Sequence, residues 1–252
     1  MGNYTVTPEI IDSSLNELKI IQNWVEENVD EPENPALVLI GGWAVDSYNP
    51  WYGSIDIDLV TNSEVRSKLK YYLRTEYGYL EIRQFPQMPS GIEKYTEAGR
   101  IIVDFIPKGV DNPFEGQGYT FYFSMIDGHT NLKEIRNACQ MYVPTRTVLL
   151  FLKLKAVWDR YYRIYNNCCY SLEWEKSKLN KDKADIIALI DPKYGGEEID
   201  LFQLAELIDS YPFLKQIFLN LKSDLDAIER YGRIEVDEFS RIFAPVENFF
   251  NH

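Results

Sequence analysis

Three aspartates and a glycine pair carry the chemistry this chain can offer. Asp56 and Asp58 stand two apart in Ser54-Ile55-Asp56-Ile57-Asp58-Leu59. Side chains alternate along a strand, so this spacing sends both carboxylates to one side while Ile55, Ile57 and Leu59 turn to the packed side. A third acid, Asp104, interrupts the apolar run Ile101 to Ile106. Burying an unpaired carboxylate is costly, so Asp104 is expected to face an ion or a solvent-filled cleft. Like charges held together need a cation between them. Mg²⁺ (or Mn²⁺) fits, because it takes oxygen ligands and is usually held by one or two carboxylates plus substrate phosphates. Three aspartates from two strands therefore predict a site for two ions. Gly41-Gly42 follows Leu37 to Ile40, an apolar run that reads as a buried strand. The glycines let the backbone turn sharply and approach a phosphate closely.

Each of these residues has a plainer alternative. The glycines could serve only a tight strand-to-helix turn, Asp56 and Asp58 the polar side of an edge strand, and Asp104 a pair with an arginine such as Arg100. Ser54 either positions the metal ligands or phosphate, or merely starts a strand. Further along, Lys153 lies on a helix among Leu149, Leu150, Ala156 and Val157, an apolar face where an idle ammonium would be costly. Lys155 has Asp159 one turn later and reads as half of a surface pair. Lys153 is thus the better phosphate ligand. For Asp182 and Asp185 the alternative is favourable placement at a helix N-terminus.

Taken in order, Gly41-Gly42, thirteen intervening residues, Asp56-x-Asp58 and a later strand acid at Asp104 resemble the nucleotidyltransferase superfamily related to DNA polymerase β. Gly-Gly-Trp-Ala-Val-Asp near Ser-x-Asp-x-Asp is similar to two branches of it. One is the AbiEii type, which includes bacterial type IV toxins; the other is the aminoglycoside and lincosamide nucleotidyltransferases. A second block, Leu149-Leu150-x-x-Lys153-Leu154-x-Ala156 with Arg160, then Lys181-Asp182-x-x-Asp185, is similar to the helical half of AbiEii-like proteins. The resemblance covers roughly residues 37 to 190. It implies NTP as substrate, two Mg²⁺ (or Mn²⁺) ions on Asp56, Asp58 and Asp104, and Lys153 among the catalytic residues. Gly41, Gly42, Ser54, Lys153, Asp182 and Asp185 would bind the nucleotide. The implied acceptor is a tRNA, a protein or a small hydroxylated drug, and an antitoxin protein is an implied partner. A catalytically silent relative that serves as a binding module is the reading from a different class.

Composition narrows the rest. The 252 residues are 45% apolar, enough for one large or two modest globular domains. No run approaches the roughly twenty apolar residues of a membrane span, and the N-terminal stretch lacks the basic flank of a secretory signal. The cytoplasm is therefore expected. The three cysteines, Cys139, Cys168 and Cys169, have no Cys-x-x-Cys spacing, and with two histidines a zinc centre or a Ser/His/Asp triad is hard to assemble. A formal charge of −13 argues against broad non-specific nucleic-acid binding. Locally the balance reverses, since Arg146 to Lys183 holds nine basic and four acidic residues.

Periodicity and punctuation predict the elements that position these residues. Ser14-x-x-Glu17 reads as a capping box for an amphipathic helix over 13–29. A strand at 37–40 leads to a short helix over 43–48, then the dyad strand over 55–60 and a second long helix. Strands are expected over 79–85, 95–106 with Gly99 near a hairpin turn, and 119–125. Helices dominate afterwards, over 145–165, 182–190, 200–210 and 212–230. The expected fold class is α+β: a nucleotidyltransferase-type mixed sheet flanked by helices (1–143), then a helical domain completing the active site (144–252).

Overall fold

The computed structural model describes residues 6–29, 34–82 and 91–251. The chain divides into two compact units, residues 1–110 with 122–144 and residues 111–121 with 145–252. A linear cut at 143/144 does not contain the excursion 111–121, which belongs with the later helices.

The first unit is α+β. Its elements begin with α1 (Pro8–Asn28), β1 (Leu37–Ile40), α2 (Gly41–Tyr48), β2 (Ile57–Thr61) and α3 (Ser63–Glu76). β3 (Leu80–Glu81), β4 (Ile92–Thr96) and β5 (Gly99–Pro107) follow. These strands form one sheet in the order β1-β2-β5-β4-β3. β2 and β5 run parallel and the other neighbours antiparallel, so the sheet is mixed. The expected strand over 79–85 is seen as only two residues, and its part beyond residue 82 lies outside the described residues.

Proline in the first turn of α1 lacks an N–H that no helix partner would have used, so the helix starts at Pro8. Ser14 and Glu17 then fall in mid-helix, and the expected capping box is not formed. Both are buried and reach across the unit instead. Ser14 Oγ donates to the Ile55 carbonyl and accepts from Trp43 Nε1, at 2.9 Å each. Glu17 accepts from the Tyr79 hydroxyl (3.0 Å) and from Lys94 (2.6 Å).

In the second unit, β6 (Asp111–Pro113) pairs with β7 (Thr120–Tyr122) at the excursion. The strand expected over 119–125 therefore shortens, with a 3₁₀ turn at Phe123–Ile126. Back in the first unit, β8 (Thr130–Ile135) and β9 (Cys139–Pro144) form a hairpin in a stretch for which no element was expected. Its turn residues, Arg136 and Asn137, both hold positive φ, 49° and 52°. That mirror-type turn is usually announced by Asn-Gly or Asp-Gly, whereas here the pair is Arg136-Asn137.

Helices make up the rest of the second unit: α4 (Arg146–Tyr165), α5 (Leu172–Ile190), α6 (Leu201–Asp209), α7 (Phe213–Asn220), α8 (Leu225–Tyr231) and α9 (Val236–Asn251). α5 begins ten residues earlier than expected, capped by Ser171, whose hydroxyl accepts from Trp174 N. The helix expected over 212–230 is broken because Asp224 accepts from Ala227 N and starts a new one. Phe114 and Phe121 of the excursion pack in an aromatic cluster with Phe151, Tyr211 and Phe213. Among the described residues, no helix is long and apolar enough to cross a membrane.

Candidate functional site

The first unit gathers its acids at the turn from β1 into α2. β1 ends at Ile40 in extended backbone, Gly41 takes φ +69°, and the helix begins at once. Register then fixes the neighbours: Ile40 pairs with Asp58, and Asp58 pairs with Asp104 across the parallel β2/β5 ladder. The two carboxylates thus stand side by side on the sheet, each half-buried. A glycine abuts each of them. A Cβ on Gly41 would lie 1.9 Å from Asp58 Oδ2, and one on Gly91 would lie 2.5 Å from Asp104 Oδ1. A side chain at either position would have to displace the carboxylate it meets. The first turn of α2, with Gly42 buried in it, supplies helix N–H groups and the positive end of a helix dipole beside the carboxylates.

Asp56 sits one residue before β2 begins, so strand alternation does not govern its direction. The Ser54 hydroxyl donates to the Asp56 carbonyl at 2.9 Å and shapes the entry to the strand. Among the described residues, no group of three or more His, Cys, Asp or Glu side chains is arranged to hold a metal ion. What the sheet builds is a pair, Asp58 with Asp104, and the glycines against it form a close-fitting cradle. Such a pair fits one divalent ion whose remaining ligands come from phosphate and water. Arg100, the suggested alternative partner of Asp104, forms an ion pair with Glu93.

The other candidates lie in the second unit. Lys153 is 6% exposed, and its ammonium bridges Asp182 Oδ1 (2.9 Å) and Asp185 Oδ2 (2.7 Å). Lys181 reaches the same Asp185 oxygen at 2.6 Å, and Arg160 Nε reaches Asp182 Oδ2 at 2.7 Å. Glu175 extends the network through Arg160 (3.0 Å) and Arg163 (2.9 Å). Burial alone would pull the Lys153 ammonium down, but two carboxylates outweigh it and hold the group well above its usual range. For Lys181 burial wins, since the neighbouring Lys153 ammonium works against the pull of the Asp185 carboxylate, and its value falls. Burial would raise Asp182; Lys153, Arg160 and Lys181 reverse that and hold it far below the carboxylate range. Asp185 Oδ1 is buried with no hydrogen-bond partner among the described residues.

This geometry changes two readings. Asp182 and Asp185 occupy the middle of α5, so helix N-terminal stabilisation is not their role. Lys153 is engaged by carboxylates rather than presented to solvent. Lys155 pairs with Asp159 as expected, at 2.6 Å, but the pair is nearly buried and Asp159 also accepts from Glu115 N. The structure also assembles polar contacts that spacing alone did not reveal. Asp46, 2% exposed, takes two hydrogen bonds from Arg136 (2.8 and 2.9 Å) and one from Gly53 N (2.8 Å). Asp46 closes the Gly-Gly-Trp-Ala-Val-Asp run, but its partner is 90 residues away. The three cysteines are free, with Cys139 buried. Compared with known proteins, the chain matches no family model and no curated protein.

Proposed function

We propose that the protein is a metal-dependent nucleotidyltransferase of nucleotidyltransferase-type fold, moving a nucleoside monophosphate from NTP to an acceptor hydroxyl on RNA or protein. One observation carries this reading: Asp58 and Asp104 are register partners, and each is abutted by a glycine where a side chain would displace the carboxylate. A polar edge strand has no need of that second feature. Asp58 and Asp104 would hold Mg²⁺ or Mn²⁺, and a second ion depends on Asp56 joining them. When bound, the ion neutralises triphosphate charge and favours departure of pyrophosphate.

The chain's own groups would do the rest. N–H groups at the start of α2 would receive phosphate oxygens, with the dipole favouring their charge. The acceptor oxygen bonds to the α-phosphorus, the bond to the bridging oxygen of the leaving pyrophosphate breaks, and Asp104 takes the acceptor's proton. Lys153 is assigned to nucleotide phosphate by resemblance alone.

A second reading is a nucleotide-binding module without transfer. It is favoured by Lys153, whose charge is already taken up by Asp182 and Asp185. Incubation with α-phosphate-labelled NTPs, Mg²⁺ and cell extract separates the two. Transfer predicts label in the RNA, protein or small-molecule fraction with wild type and none with Asp58→Asn or Asp104→Asn. Mn²⁺ and NTP binding with no labelled acceptor would select the silent module.

A further inference from the structure

The segment Gly53 to Asp56, which delivers the dyad to the sheet, is tied down by Asp46 and Ser14 from elsewhere in the unit and by its own Ser54. Gly53 N donates to Asp46 Oδ1 (2.8 Å). Ser54 Oγ donates to the Asp56 carbonyl, and Ser14 Oγ to the Ile55 carbonyl, both at 2.9 Å. Asp46 is fixed in its turn by the Arg136 fork, Nε to Oδ2 and Nη2 to Oδ1. The Arg136 guanidinium lies over the Trp43 ring, 5.5 Å from its centroid, and Trp43 Nε1 donates to Ser14 Oγ. Gly53 takes φ +79° here, and a Cβ would meet Ile11 at 2.9 Å and Arg136 at 3.1 Å. The closure is complete: Arg136, Asp46, Gly53 to Ile55, Ser14, Trp43 and back to Arg136.

The same helix is involved at both ends. α2 places Gly41 against the Asp58 carboxylate, and from its last turns Asp46 grips the backbone leading into Asp56. We infer that Asp46, locked by Arg136, is the positioning residue of the candidate metal site, using α2 as a gauge that sets where Asp56 and Asp58 stand relative to the phosphate-binding turn. This inference rests on the proposed function. A fold-holding ion pair alone would not require the acceptor carboxylate to bond the loop amide three residues before Asp56. A bidentate fork of this kind is replaced poorly by lysine, which offers a point charge and no plane.

The test is Mn²⁺ binding to the full chain, followed by electron paramagnetic resonance, with thermal unfolding measured on the same samples. Asp46→Asn keeps the shape and the Gly53 acceptor while removing the charge that orients the fork. Arg136→Lys keeps the charge and removes the fork. Each is expected to weaken Mn²⁺ binding at least fivefold at a temperature where both remain folded, and to lower the rate of transfer at saturating NTP more than it raises KM. Asp58→Asn serves as the reference and is expected to abolish the binding. If Asp58→Asn abolishes it while Asp46→Asn and Arg136→Lys bind as wild type does, the positioning role is wrong and the metal site stands. Should Asp58→Asn bind Mn²⁺ like wild type, the proposed function itself fails. If Asp46→Asn does not fold, Arg136→Lys alone decides: unchanged affinity with a lower unfolding temperature would make the pair purely structural and overturn the inference.

Discussion

A methyl group at position 41 would enter the space of the Asp58 carboxylate while also forcing a side-chain-bearing residue to hold φ +69°. Gly78 has the same backbone sign, φ +71°, and a Cβ there would meet nothing within 4 Å. The two glycines therefore separate backbone strain from displacement of the acid. Gly41→Ala and Gly78→Ala should each cost about 1–3 kcal/mol in denaturant unfolding, the usual penalty of such a conformation. Only Gly41→Ala should also weaken Mn²⁺ binding, by about tenfold or more, which corresponds to about 1.4 kcal/mol of lost affinity. Equal Mn²⁺ affinity in the two variants would detach Gly41 from the site. At this scale much was legible, because a glycine pair and acids at period two are local signals. Asp46 and Arg136 were not, since their partnership is made by β8–β9, an element the pattern did not announce.

The α4–α5 network belongs to the scale of elements. Removing one member leaves opposite charges buried, which typically costs about 3–5 kcal/mol. Lys153→Met should reach that range by urea unfolding. Lys155→Met should lose less, since Asp159 retains the Glu115 N–H. A loss no larger than that of Lys155→Met would mean the Lys153 cluster is hydrated and weak. The acid limb of stability follows from Asp182, whose folded value is depressed. A depressed carboxylate contributes stability above its unfolded value, about 3.9, and that contribution is lost as pH falls toward the folded value. The unfolding temperature should therefore drop below about pH 4, and Asp182→Asn, though less stable at neutral pH, should show a flatter limb. α4 was readable from Pro144-Thr145 and its apolar spacing. The first half of α5 was not, because Leu172 to Lys181 is mostly polar and charged, leaves Leu172 and Trp174 exposed, and buries Glu175 rather than an apolar stripe. The 212–230 run misled for a related reason: its spacing continues through Asp224, whose side chain breaks the helix.

Over the whole molecule, a formal charge of −13 opposes contact with a polyanion. Binding of oligo(U) by fluorescence anisotropy is expected to be undetectable at physiological salt, so any RNA acceptor would have to be recognised through local contacts. Tight binding that falls steeply with salt would contradict that expectation. The division into units carries a further expectation. A fragment ending at residue 144 retains 111–121 but lacks Phe151, Tyr211 and Phe213, leaving Phe114 and Phe121 without their cluster. It should bind a hydrophobic dye, and replacing residues 112–121 by a Gly-Ser linker should suppress the signal. The α+β class was readable from alternating strands and helices followed by helices. The excursion was not, because which unit a short hairpin joins is decided by aromatic partners far along the chain.

That excursion imposes a schedule on synthesis. Phe114 leaves the ribosome about a hundred residues before Phe213, a delay of roughly 5–20 s at ordinary elongation rates. During the interval a greasy hairpin lacks its Tyr211 and Phe213 partners while strands on both sides of it in sequence zip together. Codon-level pausing or chaperone attendance after Pro144 would therefore influence the yield of active protein without touching a single residue of the candidate site.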